Sequence, residues 1–227
     1  MTVKDKATSQ ELAYEKILNK IVKDRMLPGT PLRQEHIAKE FGLSATPVRE
    51  AFKRLENEGW LQSYPYRGTF VREFTYEEIR DMYLLREAIE GIAVREATLH
   101  ASEEDFQKIS KALRNEANYI LKCENDSIDF PQEFSPSFDP DVDYHRSILN
   151  AAHSKLLAEK CNLLQVQFNC IALGLNLKMD IKEMKKVYSE HTLIYQAMRK
   201  GWPDIAEEIL RKHISHARDS HLKCLNN

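Results

Sequence analysis

Apolar residues recur along most of this chain at the three- and four-residue spacing of amphipathic helices. From about Gln10 to Arg25, Leu12, Ile17, Ile21 and Val22 fall near one face, and Met26-Leu27-Pro28-Gly29-Thr30 closes that helix with turn residues. A short second helix is predicted over roughly Arg33 to Phe41, burying Leu32, Ile37, Ala38 and Phe41. Gly42 ends it, Leu43 plugs the turn, and Ser44 offers a hydroxyl to the free N–H groups of the next helix. Pro47 falls in the first turn of that third helix, where no backbone N–H has a partner to lose. Val48, Ala51, Phe52 and Leu55 form its apolar face, with Thr46, Arg49, Glu50, Lys53 and Arg54 mostly on the others. After Gly59 the period changes. Trp60 to Tyr64 and Thr69 to Arg72 read as two strands around the turn Pro65-Tyr66-Arg67-Gly68. A β-hairpin directly after a polar, cationic helix makes a winged helix-turn-helix.

From residue 75 the pattern is helical throughout. Thr75 and Glu78 have capping-box spacing, opening a helix to about His100 with Ile79, Met82, Leu85, Ile89, Ile92 and Ala93 as its apolar stripe. Ser102 and Asp105 open another, ending near Cys123. Residues 124–140 are polar and Pro-punctuated and read as a loop. Helical patterns resume over about 141–152, 154–174, 180–200 and 203–223, the last two separated by Gly201-Trp202-Pro203. The expected fold is mainly α, with a DNA-binding domain over 1–74 and an all-α antiparallel helical bundle over 75–227.

Charge divides along the same line. The net charge of −2 argues against a uniformly basic nucleic-acid binder, yet residues 1–74 hold 13 Lys+Arg against 10 Asp+Glu, leaving 20 against 25 for the rest. A basic reader joined to an acidic partner domain fits this balance. The four cysteines form no C-x-x-C pair, and the N-terminus has no apolar leader-like stretch, so a cytoplasmic protein with reduced thiols and no membrane span is expected.

The stretch PGTPLRQEHIAKEFGLSATPVREAFKRLENEGWLQSYPYRGTFV resembles the DNA-binding domain of the GntR family of bacterial transcription regulators. The matching features are the early Pro-Gly turn, the Ile37-Ala38 pair, Gly42, Ser44, the box Pro47 to Ala51, Glu58-Gly59 and the wing's Arg67-Gly68. The resemblance implies DNA contacts from Arg33, Ser44, Thr46, Arg49, Arg67 and Gly68. Arg49 is the foremost of them, because a guanidinium can bond bidentately. Lys53 and Arg54 are expected to touch phosphate or stay solvated. Where the family usually has an arginine after the serine, this chain has Ala45, so its preferred operator is expected to differ.

Asp141 and His145, spaced i, i+4, leave one helix face about a turn apart. His191 and His213 lie on two further helices, and facing helices of a bundle can gather such groups around one cation. An oxygen with three imidazole nitrogens suits Zn, Ni, Mn or Fe. The segments DVDYHRSILNAAH, SEHTLIYQAM and EEILRKHI resemble the FCD effector domain that accompanies GntR-type readers in the FadR subfamily, and many members carry an Asp and three His in these places. Asp143 and His216 are near misses, and His100 and His153 read as surface or capping residues. Arg86 matches an arginine usual in that domain's first helix, which implies a clamp for an anionic effector. Its alternative is an i, i+4 pair with Glu90.

The reading is a homodimeric, ligand-responsive regulator whose affinity for a double-stranded operator changes with a small carboxylate effector bound near the metal. Its rivals are a metal-dependent hydrolase and a metal-ion sensor using the same Asp/His group. No nucleophile or general base is identifiable beside that group, and the hydrolase leaves the winged helix unexplained.

Overall fold

The computed structural model describes residues 8–23, 26–126, 140–161, 164, 168 and 180–225. Its elements are α1 (Ser9–Lys23), β1 (Pro31–Leu32), α2 (Gln34–Phe41), α3 (Ala45–Asn57), β2 (Leu61–Tyr64), β3 (Gly68–Val71), α4 (Tyr76–His100), α5 (Glu103–Asp126), α6 (Pro140–Ala151), α7 (Ile181–Arg199) and α8 (Pro203–Leu225). Backbone is also helical over 155–161. The rest of the helix expected to 174, apart from Leu164 and Phe168, lies outside the described residues. So does most of the expected loop, at 127–139. The chain divides into two compact units, one built mainly on residues up to Phe74 and the other mainly on residues from Thr75 onward.

The first unit is a winged helix-turn-helix. Ala13 and Ile17 of α1, Ile37 of α2, and Val48, Ala51, Phe52 and Leu55 of α3 are buried together with Trp60, Leu61 and Val71. Gly42 takes φ 65, and the N–H groups of Gly42 and Leu43 return to the carbonyls of Lys39 and Ala38, satisfying the end of α2. The sheet has three strands in the order β1-β3-β2, with Leu61 opposite Val71 and Tyr64 opposite Gly68. The third strand, β1, was not legible in the sequence. It pairs only Pro31 with Phe70 and Leu32 with Thr69, too short to show an alternation.

Ser44 occupies the N-cap of α3 with extended backbone, but its hydroxyl makes no capping bond. Arg54 keeps 42% of its side chain exposed but is also engaged within the unit. It donates to Glu58 at 2.9 Å and Glu11 at 3.0 Å and lies 3.6 Å over the Tyr14 ring, while Tyr14 donates to Glu58 at 2.6 Å. This network ties α3 to α1, which is why a cation on that face of α3 is used inside the unit.

The second unit is an all-α bundle in which α4 packs on α8 and α6, α5 on α6 and α7, and α7 on α8. Both expected capping boxes form. Thr75 Oγ1 accepts from Glu78 N at 3.1 Å while Glu78 accepts from Thr75 N at 2.9 Å, and Ser102 and Asp105 repeat the exchange. Gly91 lets α8 come close, because a Cβ there would stand 2.8 Å from the Arg211 guanidinium. The α4 stripe differs from the expected one. Leu85 and Ile92 stay about half exposed, and the buried face is Ile79, Tyr83, Arg86, Glu90, Ala93, Val94 and Ala97. The bundle interior is polar at this level, so the inner face of α4 carries charged groups and hydrophobicity alone points to the wrong side.

Candidate metal centre

Three helices each deliver one histidine to the middle of the bundle. His145 from α6, His191 from α7 and His213 from α8 are all buried, although imidazole is a costly group to bury without partners. Asp141, one turn before His145, completes the group, and one ligand atom from each of the four lies within 4.8 Å of all the others. His213 Nε2 is 3.3 Å from both His145 Nε2 and His191 Nε2. The Asp141 carboxylate is 3.6 Å from His191 Nε2 and 3.9 Å from His145 Nε2. All four residues expected from the sequence are brought together.

The other ring nitrogen of each histidine meets a carboxylate. His145 Nδ1 is 2.5 Å from Glu90 Oε2, His191 Nδ1 is 2.9 Å from Glu116 Oε2, and His213 Nδ1 is 2.7 Å from Glu190 Oε2. With Nδ1–H donating outward to a carboxylate, each ring turns its Nε2 lone pair toward the same point. Three lone pairs and a carboxylate converging there repel one another unless a cation lies between them. Metal–nitrogen bonds of about 2.1 Å put neighbouring ligand atoms about 3.0–3.4 Å apart; the two 3.3 Å separations at His213 lie in that range, and the Asp141 carboxylate is slightly wider at 3.6 and 3.9 Å. The residues therefore fit a divalent metal.

The electrostatics agree with this. Burial pushes His191 down to about 3 and His213 down to about 4, so both imidazoles are neutral at physiological pH, the form that binds metal. Burial opposes ionisation of Asp141, but His145, His191 and Arg86 hold its carboxyl below the usual range. Burial, reinforced by the Asp141 charge, pushes Glu116 up to about 8. A carboxylate so placed is costly unless positive charge is nearby. Glu90 is also buried, yet Arg86 and His145 bring it down to about 2, and the bond to His213 brings Glu190 down to about 2.

Sequence reasoning missed the roles of Glu90, Glu116 and Glu190. Glu190 precedes His191, and Glu90 was visible only as the i, i+4 mate of Arg86. Glu116 carried no signal, because nothing local reveals which helix α7 will face. The Arg86–Glu90 pair does form, buried, with Nε 2.5 Å from Oε1. Tyr144 stacks on His191 with ring centroids 4.1 Å apart and donates to its carbonyl at 2.8 Å, fixing that ring's plane. Asp143 turns away to Arg146 at 3.2 Å. His216 is more than half exposed and shares Glu190 with His213, while His153 bonds Asp105 at 3.0 Å and caps that junction.

In the first unit Arg33, Ser44, Thr46, Arg49, Arg67 and Gly68 are all exposed. Arg33 precedes α2, Ser44, Thr46 and Arg49 lie at the start of α3, and Arg67 and Gly68 form the wing tip. Among the described residues, Arg49 has a 3.8 Å approach to Glu50.

Comparison with known proteins agrees with both units. Residues 9–71 match the model of the bacterial regulatory proteins, gntR family, and residues 81–216 match that of the FCD domain. A probable D-xylose utilization operon transcriptional repressor from Paenarthrobacter nicotinovorans is 28% identical over 88% of this chain and 82% of its own length. The HTH-type transcriptional repressor RspR of Escherichia coli is 24% identical over 91% of this chain and 86% of its own. Among solved structures, Escherichia coli McbR/YncC superposes with a TM-score of 0.78 at 18% identity, covering 98% of this chain and 100% of that one, which shows the shared fold.

Proposed function

The chain belongs to the GntR family of bacterial regulatory proteins and carries an FCD domain, so it is a DNA-binding transcriptional regulator, and from that premise we propose how it is controlled. Its operator affinity is set by a small organic acid bound at a divalent metal in the bundle. The observation that carries this reading is the convergence of three histidine Nε2 atoms and the Asp141 carboxylate, each imidazole being held from behind by a glutamate. Asp141, His145, His191 and His213 would hold Zn, Ni, Mn or Fe. When bound, such an ion offers a Lewis-acidic point for an effector carboxylate. Arg86 is assigned to the effector's negative charge, and its anchoring by Glu90 beside His145 supports an oriented guanidinium there.

The regulator acts as a homodimer. Its α3 helices enter successive major grooves, with Arg33, Ser44, Thr46, Arg49, Arg67 and Gly68 as the contacting residues. Leu85, Ile92 and Leu99, seven residues apart on α4 and each about half exposed, support a surface that a second copy covers. An effector that favours one dimer arrangement shifts operator affinity by linkage. A role on DNA places the protein in the bacterial cytoplasm.

Fluorescence anisotropy with the protein's own upstream DNA tests this, in the presence of metal, of small carboxylic acids and of both. Affinity that changes only when acid and metal are together supports the reading. A change with metal alone makes the cation itself the effector, and no change with either overturns control through this site.

A further inference from the structure

Tyr66 is the feature of the winged helix that the fold does not account for. The bond from Arg67 N to Tyr64 O at 3.1 Å closes a four-residue turn, Tyr64-Pro65-Tyr66-Arg67, at the tip between β2 and β3. Pro65 fixes a negative φ at the second position, and Tyr66 at the third has φ 61, so the turn is type II. That third position favours glycine or asparagine, since a Cβ is crowded at positive φ. A tyrosine there works against the turn. It gains nothing from packing either, because its side chain is fully exposed and makes no hydrogen bond or ring contact among the described residues. The neighbouring aromatics are engaged, Tyr64 edge-on to Phe70 at 5.9 Å with the Arg67 guanidinium 5.5 Å from the Tyr64 ring.

An aromatic ring held out at the tip of a rigid hairpin, next to a guanidinium and a glycine that lets backbone come close, suits the minor groove of DNA. We propose that Tyr66 is a DNA-contacting residue, its ring lying against the sugar and base edges of the minor groove while Arg67 supplies the cation. This rests on the DNA-binding reading and adds an aromatic contact to the polar ones. Sugar walls and minor-groove base edges differ little from one base pair to the next, so Tyr66 adds affinity with little sequence preference, and Arg49 in the major groove carries the selection.

The test uses the full chain and a duplex that the wild-type protein selects from a random-sequence library. Tyr66→Gly suits the turn better, so its melting temperature should match or exceed that of the wild type and loss of folding cannot explain lost binding. Its dissociation constant for the duplex should rise about tenfold, the scale expected for exposing part of an aromatic ring again. Tyr66→Phe should bind within about twofold of wild type, because the ring and not the hydroxyl makes the contact. The indole introduced by Tyr66→Trp should be quenched when the duplex is added, beyond any change in the wild-type emission. Arg49→Ala separates this proposal from its premise. If Arg49→Ala loses selection while Tyr66→Gly binds like wild type, Tyr66 is not a contact and the winged-helix reading stands. If the wild type selects no duplex at all, both fall.

Discussion

Glu116 Oε2 lies 2.9 Å from His191 Nδ1, joining α5 to α7 across 75 residues of sequence. The contact orients a ring whose other nitrogen faces His213, so Glu116 governs the centre without belonging to it. Replacing Glu116 or Glu190 by Gln should leave the fold intact and weaken metal binding by about 10–100-fold, the usual effect of losing such a partner. Competition titration with a chromophoric chelator measures this. Unchanged affinity in both variants would show that the glutamates only balance charge.

The histidines themselves are the stricter test. Protein purified without chelator or histidine tag should carry about one divalent metal per chain, and the double variant His191→Ala/His213→Ala should carry none. Binding to the native state alone also stabilises it, so the metal-loaded wild type should melt higher than the variant. Elemental analysis with calorimetry reads both quantities. Wild-type metal content in the double variant would make these ordinary helix histidines.

Acid sensitivity should begin lower than free histidine suggests. An unperturbed imidazole protonates near 6.5. His191 at about 3 and His213 at about 4 instead remain neutral in the folded protein, so these two ligands should not be lost to protonation until well below pH 6. The linkage has a definite sign. The unfolded chain takes up protons on these histidines below about 6.5 and the folded one does not, so their stabilising effect is present above 6.5 and declines toward 4. Glu116, raised to about 8, opposes this, while His221, lowered to about 4 by burial, adds to it, so three groups act against one. Thermal melts of metal-free protein from pH 7 to pH 4.5 should therefore show falling stability. A flat profile would mean that the histidines are more accessible to protons than their burial implies.

Arg49→Ala should weaken specific operator binding by roughly 1–3 kcal/mol, the worth of a good base contact. Arg49 is exposed at the start of α3, whereas Arg54 is committed to Glu11, Glu58 and Tyr14. Arg54→Ala should therefore lower the melting temperature, while Arg49→Ala should leave it unchanged. Anisotropy and melting curves on the two variants distinguish a reader from a brace, and the reverse pattern would exchange their roles.

Leu85→Glu with Ile92→Glu should turn a dimer into a monomer, since both side chains are about half exposed on α4 and a charge there costs little in a free subunit. Sedimentation equilibrium settles the mass. A dimer that survives both changes uses another surface.

The sequence by itself determined what depends on neighbours along the chain. Helical period placed most helices, Thr75 with Glu78 marked the start of α4, and Gly201-Trp202-Pro203 marked the turn into α8. Spacing put Asp141 and His145 on one face, and the ordered match around Pro47 to Ala51 indicated the DNA reader. Tertiary structure decided what depends on which faces meet. Glu116 behind His191 and Glu90 behind His145 come from other helices, and no local pattern encodes a partner 75 or 55 residues away. The inner face of α4 escaped the hydrophobic pattern because it surrounds a polar centre, leaving Leu85 and Ile92 outside. Strand β1 exists only because β3 offers it an edge. Arg54 looked like any cation on α3 until α1 brought Glu11 and Tyr14 against it.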